Sequence, residues 1–152
     1  MKKLHKYVNK SPLMDIRIKF GNEVFRFNLY EELIVNEDKI NKELQEQPGY
    51  YGFMGLLLVK LQRSKDDKDA ELNKKEAELF VRFKTDINPN TGRETSERLA
   101  DALVRDEEEY QAILKEVNNL KESVGIIKHC LNAFEQRSNL IQSLSANRRK
   151  EL

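Results

Sequence analysis

Residues 110–145 read YQAILKEVNNLKESVGIIKHCLNAFEQRSNLIQSLS, and their spacing decides the fold class. Tyr110, Ile113, Val117, Leu120, Val124, Ile127, Leu131, Phe134, Ser138, Ile141 and Ser145 follow one another in steps of three and four. Nine of these eleven are apolar. Such a heptad seam runs down one side of a helix and must be covered by another helix. Ser138, Ser145 and the central Gly125 blur the pattern that would specify an oligomer, so a dimer, an intramolecular hairpin and a ring all fit it.

Upstream, Asp106 with Glu109 three residues later has the spacing of a capping box and predicts the start of this helix. From there it runs about 40 residues, roughly 60 Å. A short helix over about Ser96 to Val104 precedes it, and Asn88-Pro89-Asn90-Thr91-Gly92 reads as a turn. Residues Gly49 to Lys84 are expected to form a second long helix, antiparallel to the first, with a solvated middle. Pro48 is placed either to break the preceding helix or to start this one. That preceding helix is read from Tyr30, Leu33, Ile34, Ile40 and Leu44, and ends near Gln47. Gly52 and Gly55 each cost a helix roughly 1 kcal/mol relative to alanine, so a close backbone approach is expected there. Gly125 is read as a crossing point or a slight kink.

The first 28 residues have a different period. Ile16, Ile18 and Phe20 alternate with Asp15, Arg17 and Lys19; after Gly21-Asn22, Phe25, Phe27 and Leu29 alternate with Arg26 and Asn28. This predicts a β-hairpin, which needs a helix or a neighbouring subunit to pack on. Before it, Lys2, Lys3, Lys6 and Lys10 with His5 make a basic arm. The expected protein is mainly α, with long antiparallel helices in coiled-coil-like packing and a small N-terminal hairpin. Residues 1–28 form the arm and hairpin, and 29–152 a helical domain for oligomerisation and binding.

Charged residues make up 35% of the chain and there is no tryptophan, which implies a lean core spread along helices. The net charge is only +1, but it is unevenly distributed. Counting side chains, segments 1–28, 60–84 and 110–152 are positive, while 29–59 and 85–109 are negative. A single cysteine, Cys130, excludes a disulfide scaffold and fits a reducing cytoplasm. The longest apolar run, Phe53 to Val59, is too short to cross a bilayer, and no secretory pattern opens the chain.

Chemistry-bearing motifs are sparse. His129 and Cys130 are adjacent on a helix, so their side chains diverge; a packed cysteine and a solvent-facing histidine are expected. Gly49-Tyr50-Tyr51-Gly52 lacks the lysine and hydroxyl residue of a phosphate-binding loop. The carboxylates at Asp66, Asp67, Asp69 and Glu71 are interleaved with lysines, and those at Glu107 to Glu109 lie in a first helical turn. No cofactor or metal is expected, and an enzyme is not indicated. The remaining candidates are basic: Lys60, Arg63, Lys74, Lys75, Arg82 and Lys84 on the middle helix, then Arg148, Arg149 and Lys150 at the end. Cations along a groove neutralise phosphates without reading bases. Phe80 and Phe83 flank Arg82, either as anchors of the helix end or as stacking platforms.

Three stretches resemble the phage recombination-mediator family of UvsY type. They are Leu44-Gln45-Glu46-Gln47-Pro48-Gly49-Tyr50-Tyr51 running into Leu56-Leu57-Leu58, Asp106 to Gln111, and Ala133 to Arg137 followed by Leu140 to Ser145. The resemblance covers roughly residues 30–149. It implies a helical ring of six to eight subunits in the host cytoplasm that binds single-stranded DNA, assists displacement of the single-strand-binding protein and loads a RecA-like recombinase. It also implies DNA contact near Leu79 to Lys84, where Arg82 matches a family basic residue and Phe80 replaces another. Homo-oligomerisation would run through Ile113, Val117, Leu120, Val124, Ile127, Leu131, Phe134 and Ile141. A helical scaffolding or chaperone-like phage assembly protein that never touches DNA is the competing class.

Overall fold

The computed structural model describes Val8 and residues 11–87 and 89–150. The expected basic arm and Asn88 lie outside the described residues. The elements are strands β1 (Asp15–Phe20) and β2 (Glu23–Asn28) and helices α1 (Leu29–Leu33), α2 (Ile40–Thr85), α3 (Glu97–Asp106) and α4 (Glu108–Lys150). Single 3-10 turns occupy Pro12–Met14 and Glu37–Lys39. The chain divides into two compact units. The first comprises residues 1–61 and 123–152, and the second residues 62–122. Among the described residues no helix is long and apolar enough to cross a membrane.

In the first unit β1 and β2 form the expected antiparallel hairpin, with Ile16 opposite Phe27, Arg17 opposite Arg26 and Ile18 opposite Phe25. Gly21 adopts φ +58° at the first position of the two-residue loop, where a II′ turn requires a residue free of Cβ strain. Ile18 is fully buried, and Phe25 meets Phe53 of α2 edge to face, with ring centroids 5.4 Å apart. That contact gives the hairpin the support it needs.

The helix expected from Tyr30 to Gln47 is instead two helices. α1 ends after Leu33, and the backbone is extended at Ile34. The Asn36 side chain accepts the Asp38 N–H, a local bond that competes with helix continuation and begins a new start. α2 then runs through Pro48 without a break. Proline inside a helix lacks one backbone donor and clashes with the preceding turn, and here neighbouring contacts hold the helix together. Gln47, immediately before it, donates from Nε2 to the Phe134 carbonyl on α4 at 2.7 Å, and Tyr50 stacks on Phe134 at 6.0 Å. Pro48→Ala should therefore raise stability by about 2 kcal/mol, the helix gain of about 3 offset in part by a freer unfolded chain. Chemical denaturation would read this as a higher midpoint at an unchanged slope.

Three charged or polar groups bind α2, α4 and the Ile34–Asn36 segment together. Arg137, only 6% exposed, donates through Nη1 to Gln47 Oε1 and through Nη2 to the Glu43 carboxylate and to the Ile34 carbonyl. Glu43 also accepts the Asn36 N–H at 3.1 Å. Burial pushes the Glu43 carboxyl up, but the Asn36 N–H and the hydrogen bond and charge of Arg137, with help from Lys42, hold it below its ordinary value. Around this network Ile40, Met54, Leu57, Leu61, Ile127, Cys130, Phe134 and Ile141 form the core.

In the second unit the later part of α2 lies antiparallel to the start of α4, as the ion pairs Lys68–Glu116 and Lys75–Glu109, each 2.8 Å, require. Leu72, Leu79, Ala100, Val104 and Val117 are buried. Ser96 caps α3 by accepting the Leu99 N–H, and Glu107 is extended between α3 and α4. α4 thus begins at Glu108 rather than Asp106. The expected turn is present at the described residues Pro89 to Thr91 and is flanked by an Ile87–Glu94 bridge.

None of the eleven seam positions is exposed. A close approach at Gly52 and Gly55 does not occur: a Cβ built on either meets nothing within 4 Å. The same holds for Gly125, through which α4 continues without interruption.

Candidate nucleic-acid interface

Of the eight expected cations, Arg63, Lys74, Lys75, Arg82 and Lys84 belong to the second unit and Lys60, Arg148 and Arg149 to the first. In the second unit, Lys75 Nζ is 2.8 Å from Glu109 Oε2 and 3.8 Å from Glu78 Oε2. The Glu109 hydrogen bond raises the Lys75 pKa and lowers that of Glu109. Arg82 Nη2 is 3.2 Å from Glu107 Oε1, and its guanidinium lies 4.9 Å from the centroid of the Phe83 ring. Lys84 Nζ donates to the Thr95 carbonyl at 3.1 Å. These three residues tie α2 to the chain between Thr95 and Glu109.

Lys74 is well exposed and only 4.0 Å from Glu78. Arg63 is exposed as well. The helical face that carries Arg63, Lys74 and Arg82 also carries Asp67, Glu71 and Glu78 at steps of three and four. Along this part of α2 the face therefore alternates in sign. Phe80 and Phe83 are half-buried and Leu79 is buried, so they anchor the helix end.

In the first unit, Lys60, Arg148 and Arg149 are exposed. Arg149 turns back to the Ser145 carbonyl, with Nε at 3.4 Å. Cations at this position favour the C-terminal end of the helix dipole, which accounts for Arg148 and Arg149 without a ligand.

The expected oligomerisation residues are also covered within the chain. Val117, Val124, Ile127, Phe134 and Ile141 are buried, while Ile113, Leu120 and Leu131 are half-buried. The five buried residues are core positions of one protomer. His129 is exposed and Cys130 buried, and burial pushes the thiol pKa up.

A cationic surface does exist elsewhere, on the outer face of the hairpin. Strand alternation buries Ile18 and half-buries Ile16, Phe25 and Phe27, leaving Arg17, Lys19 and Arg26 exposed on the other side. The register sets Arg17 directly across from Arg26. Like charges in that position destabilise a strand pair by roughly 0.2–1 kcal/mol. Asp15, the acidic residue of this face, is already held at one end by the Asn28 side-chain amide at 2.8 Å. Among the described residues no ion pair relieves Arg17, Lys19 or Arg26.

Successive residues on one strand face stand about 6.7 Å apart. Three cations on this spacing form a compact anion-attracting surface supported by the packed aromatic face behind it. The sequence contained the signal, since alternation already assigns the three to one side. Only the cross-strand register brings Arg17 and Arg26 together.

No family model, curated protein or solved structure matches this chain.

Proposed function

We propose that this chain is a non-enzymatic single-stranded-DNA-binding protein that acts as a recombination mediator, assisting the loading of a RecA-like recombinase where a single-strand-binding protein competes for the strand. The observation that carries the DNA-binding part is the uncompensated cationic face of the hairpin, Arg17, Lys19 and Arg26. Such a face attracts phosphates and does not read bases, which suits a protein that must bind any strand. The mediator part rests on the three stretches that resemble the UvsY-type family. Exposed Lys60, Arg63 and Lys74 add further positive charge outside the hairpin.

One observation favours the competing reading of a helical scaffold that does not meet DNA. Lys75 and Arg82 are engaged by Glu109 and Glu107, as expected where charges stitch helices together. Fluorescence anisotropy of a labelled oligo-dT strand separates the two readings. The mediator reading expects binding at low salt that falls steeply as salt rises, with a log–log slope of about −2 if three phosphates are neutralised on a single strand. No binding at low salt would sink it and leave the scaffold.

A further inference from the structure

α2 carries a second heptad stripe, on the side away from Ile40, Met54 and Leu61, and its central Phe53 also meets Phe25 of the hairpin. Lys42, Glu46, Gly49, Phe53, Leu56 and Lys60 follow one another in steps of four and three, and all six are exposed. Phe53 is 46% and Leu56 69% exposed, and neighbouring Val59 is 61% exposed. Side chains of this kind on a helix that already has a buried core mark an interaction surface. Beside the stripe lies a groove of about 570 Å³ lined by Phe27, Glu32, Gly49, Tyr50, Phe53 and Phe134, with Glu46 at its edge.

We propose that two copies of this chain associate about a two-fold axis through this stripe, with their α2 helices antiparallel. The charge order makes the stripe complementary to itself. With Phe53 at the axis, Glu46 of each copy meets Lys60 of the other, because the two residues lie seven positions to either side of it. In the same register Leu56 of one copy falls opposite Tyr50 of the other, one residue from Gly49. A Cβ at Gly49 would meet nothing within 4 Å in the single chain, so the notch there is open and adjoins the apolar groove. Leu56 fills it. The result is an isologous contact with a large-into-small apolar centre and an ion pair at each end.

Among the described residues the ion pair of Glu46 is an exposed 3.5 Å contact with Lys42, which contributes little and leaves its carboxylate available to Lys60 of the second copy. Among the described residues Lys60 has no ion pair. The association takes no residue from the seam on α4 and does not depend on nucleic acid.

Light scattering coupled to size exclusion, run on the full chain without DNA, tests this by charge exchange. The unaltered protein should elute with twice the mass of the 17.9 kDa chain. Glu46→Lys alone and Lys60→Glu alone each set like charges at both ends of the contact and should weaken association at least about tenfold. The double variant Glu46→Lys with Lys60→Glu restores opposite charges and should recover the dimer. Gly49→Met closes the notch and should yield monomers whose helical circular dichroism is unchanged. A monomeric unaltered protein, a single exchange that leaves the dimer intact, or a double exchange that fails to restore it would each overturn the proposal. A folded Gly49→Met protein that remains dimeric would do the same.

Discussion

Arg137→Ala is expected to lower the stability of the protein by about 3–5 kcal/mol, the largest effect of any single substitution outside the apolar core. The substitution removes the partner of a part-buried Glu43 carboxylate and strips Gln47 and the Ile34 carbonyl of a donor. A buried group left without its partner costs more than the intact pair contributes. Arg137→Met should be milder, because the methionine fills space that alanine leaves open. Urea denaturation followed by circular dichroism measures both, and a loss below about 1 kcal/mol for Arg137→Ala would show that this network does not hold the first unit together.

The same network sets an acid limit. The Glu43 carboxyl titrates lower in the folded protein than its ordinary value of 4.5, so its contribution is fully present above that pH. That contribution is lost as pH falls from 4.5 through the folded pKa. Glu43→Gln should flatten this part of the pH–stability curve, with a lower plateau at neutral pH. A curve of unchanged steepness would assign the acid sensitivity to another carboxylate.

The second large effect concerns ligand affinity. Arg17→Thr, Lys19→Thr and Arg26→Thr in one protein should reduce affinity for oligo-dT about a hundredfold near physiological salt and make the salt slope shallower by about 2. Threonine suits a strand, and the exchange removes the Arg17–Arg26 repulsion. The fold should therefore be retained or slightly stabilised, so a loss of binding cannot be assigned to unfolding. Thermal denaturation of the same preparation checks this.

The parts of the fold set by hydrophobic period were legible in the sequence. The seam, the short α3 helix and the hairpin with its Gly21-Asn22 loop all follow from spacing and turn chemistry. The misread parts are those decided by tertiary contacts. A strict heptad predicts Leu131 and Ser138 as the covered positions. The helix keeps Phe134 and Ile141 buried but covers Cys130 and Arg137, each one residue earlier, where Gln47 and Glu43 of α2 receive the guanidinium. Arg137 therefore enters the core while looking like a surface residue in the sequence.

The same holds on α2. Ile40, Gln47, Met54 and Leu61 recur at steps of seven and are all buried. Lys68 and Lys75 continue that spacing in the second unit, where they are half-buried and pair with Glu116 and Glu109. A lysine at such a position covers apolar surface with its stem and sends the amine outward, which composition cannot distinguish from a ligand-seeking cation. The expected DNA site drew Lys75 from this group, while Arg17, Lys19 and Arg26 of the hairpin are exposed.

The most direct test of the account compares two neutralised proteins for binding to labelled oligo-dT across a salt series. One carries Arg17→Thr, Lys19→Thr and Arg26→Thr on the hairpin; the other carries Arg82→Ser and Lys84→Ser on the long helix. The hairpin protein should lose most of its affinity and salt dependence, while the helix protein, once shown to be folded, should bind nearly as the unaltered chain does. Strong, salt-steep binding by the hairpin protein together with loss of binding by the folded helix protein would contradict the account and return the DNA site to α2.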